Sequence, residues 1–195
     1  MPLPAPSPDF HRLQIKTDRI DARSLFRISR RPKTEPYFGK NKAYRFDDSL
    51  KRYGVCYVGD CLATAFAETI LHDLSPVGGE FRVARDDVTD RFVMSFRQEN
   101  FDVANLTGAH LKVLGGTNDI SSEVPYDTTQ LWSQAIYQHP DKLVGLAYIS
   151  RHLNTHRAYA LFDRLDGRLV VKSEIPILMH PELKDVLEMF NVVLY

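Results

Sequence analysis

The stretch Tyr53-Gly54-Val55-Cys56-Tyr57-Val58-Gly59-Asp60-Cys61-Leu62-Ala63-Thr64-Ala65-Phe66-Ala67-Glu68-Thr69-Ile70-Leu71-His72-Asp73 decides how the rest of the chain is read. It reads as a strand, a tight turn and a helix. Val55 and Tyr57 suit a half-buried strand. Gly59-Asp60 marks the turn, and Asp60 is the expected N-cap. From Cys61 onward, Leu62, Ala65, Phe66, Thr69 and Ile70 recur at helical spacing. Glu68 lies about 120° around the helix from Leu62, beside the apolar stripe and not opposite it. A carboxylate there can face a cleft. Simple solvent exposure is the alternative, because Glu is rarely buried.

The 195 residues are 26% charged and 44% hydrophobic, which is ordinary for one compact domain with a sizeable core. Lys and Arg number 25, as do Asp and Glu, so net charge gives no drive toward nucleic acid or acidic membranes. Residues 1–9 carry four prolines and predict an extended, poorly ordered tail without the apolar region of a signal peptide. No apolar run approaches membrane-spanning length. Cys56 and Cys61 are the only cysteines. They read as free thiols in a reducing cytoplasm, and as small core residues before zinc ligands.

Working outward, Phe10 to Ile20 suits either a helix or a strand. Ser24 to Ser29 predicts a strand with Arg27 among apolar neighbours. Arg30 to Asn41 is a loop long enough to suggest function. Tyr44-Arg45-Phe46 and a polar stretch, Asp47 to Lys51, lead into the central unit. Beyond it, Ser75 to Gly79 ends the helix. Phe81–Arg85 and Phe92–Phe96 predict two strands, the charges of Arg82 to Arg91 suggesting a solvated hairpin. Residues 99–120 predict at most one short strand. Thr128 or Thr129 is expected to cap a helix through His139, burying Leu131, Trp132, Ala135 and Ile136. Gly145–Ser150, Ala158–Phe162 and Leu169–Ile175 predict strands, and Pro181 opens a last helix to about Phe190. The pattern is neither regular βαβ nor all β. It predicts a single α+β domain with a bent, mostly antiparallel sheet and flanking helices.

Leu25-Phe26-Arg27-Ile28, Tyr44-Arg45-Phe46, Tyr53 to Tyr57, Ala65 to Thr69 and Gly145 to Arg151, in this order and spacing, resemble the RES domain. That family is named for an Arg, a Glu and a Ser, which match Arg27, Glu68 and Ser150. The resemblance covers roughly Ser24 to Lys172 of one domain spanning 1–195. It implies an ADP-ribosyltransferase-like fold and the toxin of a bacterial type II toxin–antitoxin pair that degrades NAD+, by hydrolysis or phosphorolysis. It also implies a Xre-like helix-turn-helix antitoxin that covers the active site in a hetero-oligomer. Some members transfer ADP-ribose to protein. The sequence departs from the family's usual text at Phe46-Asp47-Asp48, where a Trp-Asn pair is common, and at His152 to His156, where a glycine-rich turn is common.

The residues suit this chemistry in their own right. Nicotinamide leaves its ribose as a neutral ring, so no general acid is required. A cation develops at the ribose, and a carboxylate such as Glu68 stabilises it. Arg27 and Arg45 supply forked donors for a pyrophosphate. Tyr57 offers a ring face to the cationic nicotinamide. Ser150, at a strand end, can orient Glu68 or a ribose hydroxyl. NAD+ is then a substrate, and neither cofactor nor metal is expected. Each residue has a plainer role: Arg27 as an edge ion pair, Ser150 as a strand-end cap, Tyr57 as a core tyrosine. His152 and His156 read as a polar loop, with no acidic ligand between them. Two other functions fit the same residues: a protein ADP-ribosyltransferase, and a non-catalytic binding module that keeps the fold.

Overall fold

A computed structural model describes residues 2–30, 32–165 and 167–195, so Met1 of the tail and Arg31 of the long loop lie outside the described residues. The strands are β1 (Thr17–Asp21), β2 (Phe26–Ser29), β3 (Val55–Gly59), β4 (Phe81–Val83), β5 (Phe92–Phe96), β6 (Asn100–Asn105), β7 (Gly145–Ile149), β8 (Arg157–Phe162), β9 (Val171–Pro176) and β10 (Val192–Leu194). The α-helices are α1 (Leu62–Thr69), α2 (Asp86–Thr89), α3 (Gly108–Val113), α4 (Asp127–Gln138) and α5 (Leu183–Met189). One sheet runs β1-β6-β7-β8-β3-β2-β5-β9. Its pairings are antiparallel except β6 with β7. This is the expected α+β domain with a bent, mostly antiparallel sheet.

The central unit forms as a strand, turn and helix, with one change at the cap. Cys61, not Asp60, is the N-cap of α1, its sulfur accepting the Thr64 N–H at 3.4 Å. Asp60 instead accepts the Thr64 hydroxyl at 2.7 Å and the Arg157 N–H at 2.9 Å, tying the turn to β8. Gly59 is required by closeness: a Cβ there would meet the Ala65 nitrogen at 2.7 Å. Leu62, Ala65 and Phe66 bury against Ile28, Val93, Leu183 and Val186. Full burial of a side chain the size of Phe66 contributes roughly 1.5–3 kcal/mol. The helix ends at Thr69, one turn before its expected limit, which leaves His72 in the following turn.

β2 and β3 pair only at Phe26–Gly59 and then part. A carbonyl freed from the ladder needs a donor. Arg27 Nη1 donates to the Tyr57 carbonyl at 2.9 Å, so an arginine side chain closes the gap that a strand would have closed.

Several expectations are corrected. Residues 2–9 are extended but anchored: Leu3 is buried, its N–H donates to Glu123, and the Pro4 carbonyl accepts the Trp132 indole at 2.8 Å. β4 does not form a hairpin with β5. α2 lies between them, and β4 pairs in parallel with β10. Residues 99–120 hold β6 and α3. Tyr126 is the N-cap residue of α4, and the Thr129 hydroxyl donates to the Tyr126 and Arg45 carbonyls. Leu131 is exposed, whereas Gln130 and Ser133 turn inward because their side chains bond backbone oxygens of the segment before β3. Cys56 is a core residue as expected, but Cys61 is only partly buried. Among the described residues no helix is long and apolar enough to cross a membrane.

Candidate active site

The parting of β2 from β3 opens a cleft of about 510 Å³, within the range of small-molecule sites. Arg27, Arg45, Tyr57 and Glu68 line it. Ser150 stands behind Glu68, fully buried just past the end of β7. The five candidate residues therefore converge, although they come from β2, the loop before β3, β3 itself, α1 and the end of β7.

Ser150 Oγ donates to Glu68 Oε1 at 2.6 Å and accepts the N–H groups of His152 and Leu153 at 3.2 and 3.0 Å. Glu68 sits in the last turn of α1 and is partly buried, in the cleft and not in open solvent.

Arg27 is committed on two sides. Besides the Tyr57 carbonyl, its Nε donates to Glu35 Oε2 at 2.7 Å. Burial opposes the Arg27 charge, yet its pKa is raised on balance by the neighbouring Cys56 and Glu35. Burial pushes the Cys56 thiol up to about 11, so it stays neutral at neutral pH. Glu35 Oε2 also accepts the Tyr37 N–H at 2.8 Å, while Oε1 is buried with no hydrogen-bond partner among the described residues.

Arg45 is buried; its Nη1 donates to the Glu123 carbonyl at 2.8 Å and its guanidinium lies 4.8 Å from the Tyr126 ring centre. Burial lowers its pKa, but an arginine remains a cation. The Tyr57 hydroxyl donates to Asp47 Oδ1 and accepts the Phe46 N–H, each at 3.0 Å. Burial holds the Tyr57 and Tyr148 phenols well above their ordinary pKa, so both stay neutral. The departure at Phe46-Asp47-Asp48 thus has a structural use: Asp47 takes the Tyr57 hydroxyl and the Ala43 and Tyr44 N–H groups. Gly54 lets the long loop close on β3, since a Cβ there would meet the Phe38 carbonyl oxygen at 2.5 Å.

Sequence reasoning did not place Glu35, Tyr148 or His72 at the site and read His152 as part of a polar loop, yet all four line the cleft. The length of the loop at 30–41 pointed toward Glu35. Tyr148 lies two residues before Ser150 in a strand, where alternate residues share a face. His72 and His152 meet at 3.1 Å, a contact between segments 80 residues apart that no local pattern carries.

The family model described as RES domain matches residues 24–180. The chain belongs to the RES family. Among solved structures, the chain is similar to one in the crystal structure of the M. tuberculosis MbcT-MbcA toxin–antitoxin complex. The TM-score is 0.61 at 10% identity, over 82% of this chain and 85% of that one. No curated protein matches the sequence. Of the three residues that the sequence resemblance matches to the family's namesake Arg, Glu and Ser, Arg27 and Glu68 line the cleft and Ser150 bonds Glu68 from behind it.

Proposed function

We propose that this RES protein is the toxin of a toxin–antitoxin pair and that it degrades NAD+ by cleaving the nicotinamide–ribose bond. The observation that carries this reading is the Glu68 carboxylate, held by Ser150 at 2.6 Å in a cleft that also presents Arg27 and Arg45. The arginines suit the pyrophosphate: Arg45 as a buried cation at the wall, Arg27 through whatever donors Glu35 and Tyr57 leave free. The nicotinamide C–N bond breaks with its electron pair going to the ring nitrogen, which leaves neutral. Glu68 stabilises the positive charge left at the ribose. Water or phosphate then attacks that carbon, and water loses its proton to solvent. NAD+ is itself the substrate, so the reaction as written calls on no further cofactor or metal.

The similar solved chain belongs to a toxin–antitoxin complex. By that likeness the partner is an antitoxin; the resemblance of the sequence further implies one of the Xre-like helix-turn-helix kind, seated over the cleft, in the cytoplasm. Purified protein freed of any partner is expected to release nicotinamide from NAD+. Its expression is expected to arrest growth until the antitoxin is co-expressed. Folded, partner-free protein that leaves NAD+ intact with and without phosphate would overturn the reading. Labelling of a protein acceptor without consumption of free NAD+ would replace it with ADP-ribosyl transfer to protein.

A further inference from the structure

Two imidazoles and one carboxylate converge at the floor of the cleft. His152 Nε2 lies 3.1 Å from His72 Nδ1, and ligand atoms of Glu68, His72 and His152 all lie within 4.8 Å of one another. In a tetrahedral zinc site with Zn–N bonds of about 2.0–2.1 Å, two nitrogens stand about 3.3–3.4 Å apart. The histidine pair is already close to that spacing. Ser150 engages one oxygen of Glu68 and leaves lone pairs for a cation.

We propose that Glu68, His72 and His152 form an inhibitory site for Zn2+. The proposal rests on the reading of Glu68 as the carboxylate that faces the ribose. The donor set selects the ion. Arg45 and Arg151 stand near His152 and disfavour a hard cation held by charge alone, whereas imidazole nitrogens bind zinc and leave magnesium and calcium in water. Zinc at this position occupies the Glu68 charge, so the carboxylate no longer stabilises a cation at the ribose. A second cluster, Asp60, Cys61 and His156, also gathers ligand atoms. There the Asp60 oxygens are already taken by the Thr64 hydroxyl and the Arg157 N–H.

The test is a calorimetric titration of Zn2+ into chelator-stripped full-length protein. One zinc per chain is expected to bind, and magnesium is expected not to. His72→Ala and His152→Ala are expected to weaken binding by more than the roughly 10–100-fold that loss of an outer partner costs. Glu68→Gln is expected to weaken it as well, and Cys61→Ser to leave it unchanged. Wild type that binds no zinc, binding indifferent to both histidines, or binding lost only in Cys61→Ser would each overturn the proposal. If an alanine variant folds poorly, wild-type histidine resonances decide. Those of His72 and His152 are expected to move with zinc and that of His180 to stay, and unmoved His72 and His152 signals refute the site. In the nicotinamide assay, saturating zinc is expected to lower turnover on the order of 10²-fold, reversibly with chelator. The two readings fail separately: calorimetry needs no turnover, and turnover of the metal-free protein needs no zinc site.

Discussion

Ser150 Oγ donates to Glu68 Oε1 at 2.6 Å, joining the end of β7 to the last turn of α1 across 82 residues. The direction of this bond is fixed by its surroundings. A serine hydroxyl has one proton and two acceptor sites. The N–H groups of His152 and Leu153 approach the oxygen, so the proton points at Glu68. A backbone turn thereby aims a hydroxyl that in turn orients a carboxylate.

Ser150→Ala removes the donor to Glu68 and leaves two N–H groups without their acceptor. A buried donor left unsatisfied costs about 1–3 kcal/mol. The melting temperature is expected to fall, and turnover per folded molecule to fall further than NAD+ affinity. A variant with lowered stability but unchanged turnover would reduce Ser150 to a loop cap.

The strand and helix around Glu68 were legible because period-2 and helical patterns are local and the core enforces them. Non-local pairing was not. Nothing between Phe81 and Phe96 says that β4 prefers β10 over its neighbour β5, and the intervening charges of Asp86 and Asp87 sit in α2. The tail looked free because prolines lack donors, yet its carbonyls remain acceptors, and Trp132 uses one. At the site, resemblance pointed to Arg27, Glu68 and Ser150, and the structure adds that Arg27 and Glu68 line one cleft with Ser150 bonded behind Glu68. Glu35 stayed hidden because its link to Arg27 depends on how a long loop folds back, which sequence spacing does not encode.

The Arg27–Glu35 pair makes a separable prediction. The Glu35 side chain is 1% exposed and that of Arg27 18%. Breaking a buried pair by removing one partner typically costs about 3–5 kcal/mol, because the other charge is left unpaired. Glu35→Ala is expected to lower the denaturant midpoint by a large margin. Arg27→Lys keeps the charge but loses the fork that spans Glu35 and the Tyr57 carbonyl, so it is expected to raise the KM for NAD+ more than it lowers stability. Equal KM in Arg27→Lys and wild type would remove Arg27 from substrate binding.

Acid sensitivity is expected from Asp48. Burial works against its charge, but hydrogen bonds from the Arg52 side chain and from the Arg52 and Leu50 N–H groups outweigh it, and its pKa is lowered from 3.8. A carboxyl whose folded pKa lies below its unfolded one contributes stability that is present above the unfolded value and lost as pH falls through the folded one. Asp48→Asn is therefore expected to destabilise the protein at pH 7, and the gap from wild type to narrow below pH 3.8. Urea melts of both proteins at neutral and acid pH check the sign. A gap that widens in acid would contradict it.

Glu68→Gln tests the centre of the functional reading. The amide keeps the shape of the carboxylate and an oxygen that can accept from Ser150 Oγ, but it removes the negative charge. If Glu68 stabilises a cation forming at the ribose, the loss belongs to the transition state and falls on kcat, with KM little changed. One well-placed electrostatic group contributes on the order of 10²–10³ in rate, about 3–4 kcal/mol. Stability is expected to hold, because Glu68 faces the cleft and the helix is anchored in the core by Leu62 and Phe66. A purely structural Glu68 gives the reverse: a lower melting temperature with turnover per folded molecule intact. Measuring both in one preparation separates the two. A well-folded Glu68→Gln protein that consumes NAD+ at the wild-type rate would leave the cleft without the carboxylate on which its proposed chemistry depends.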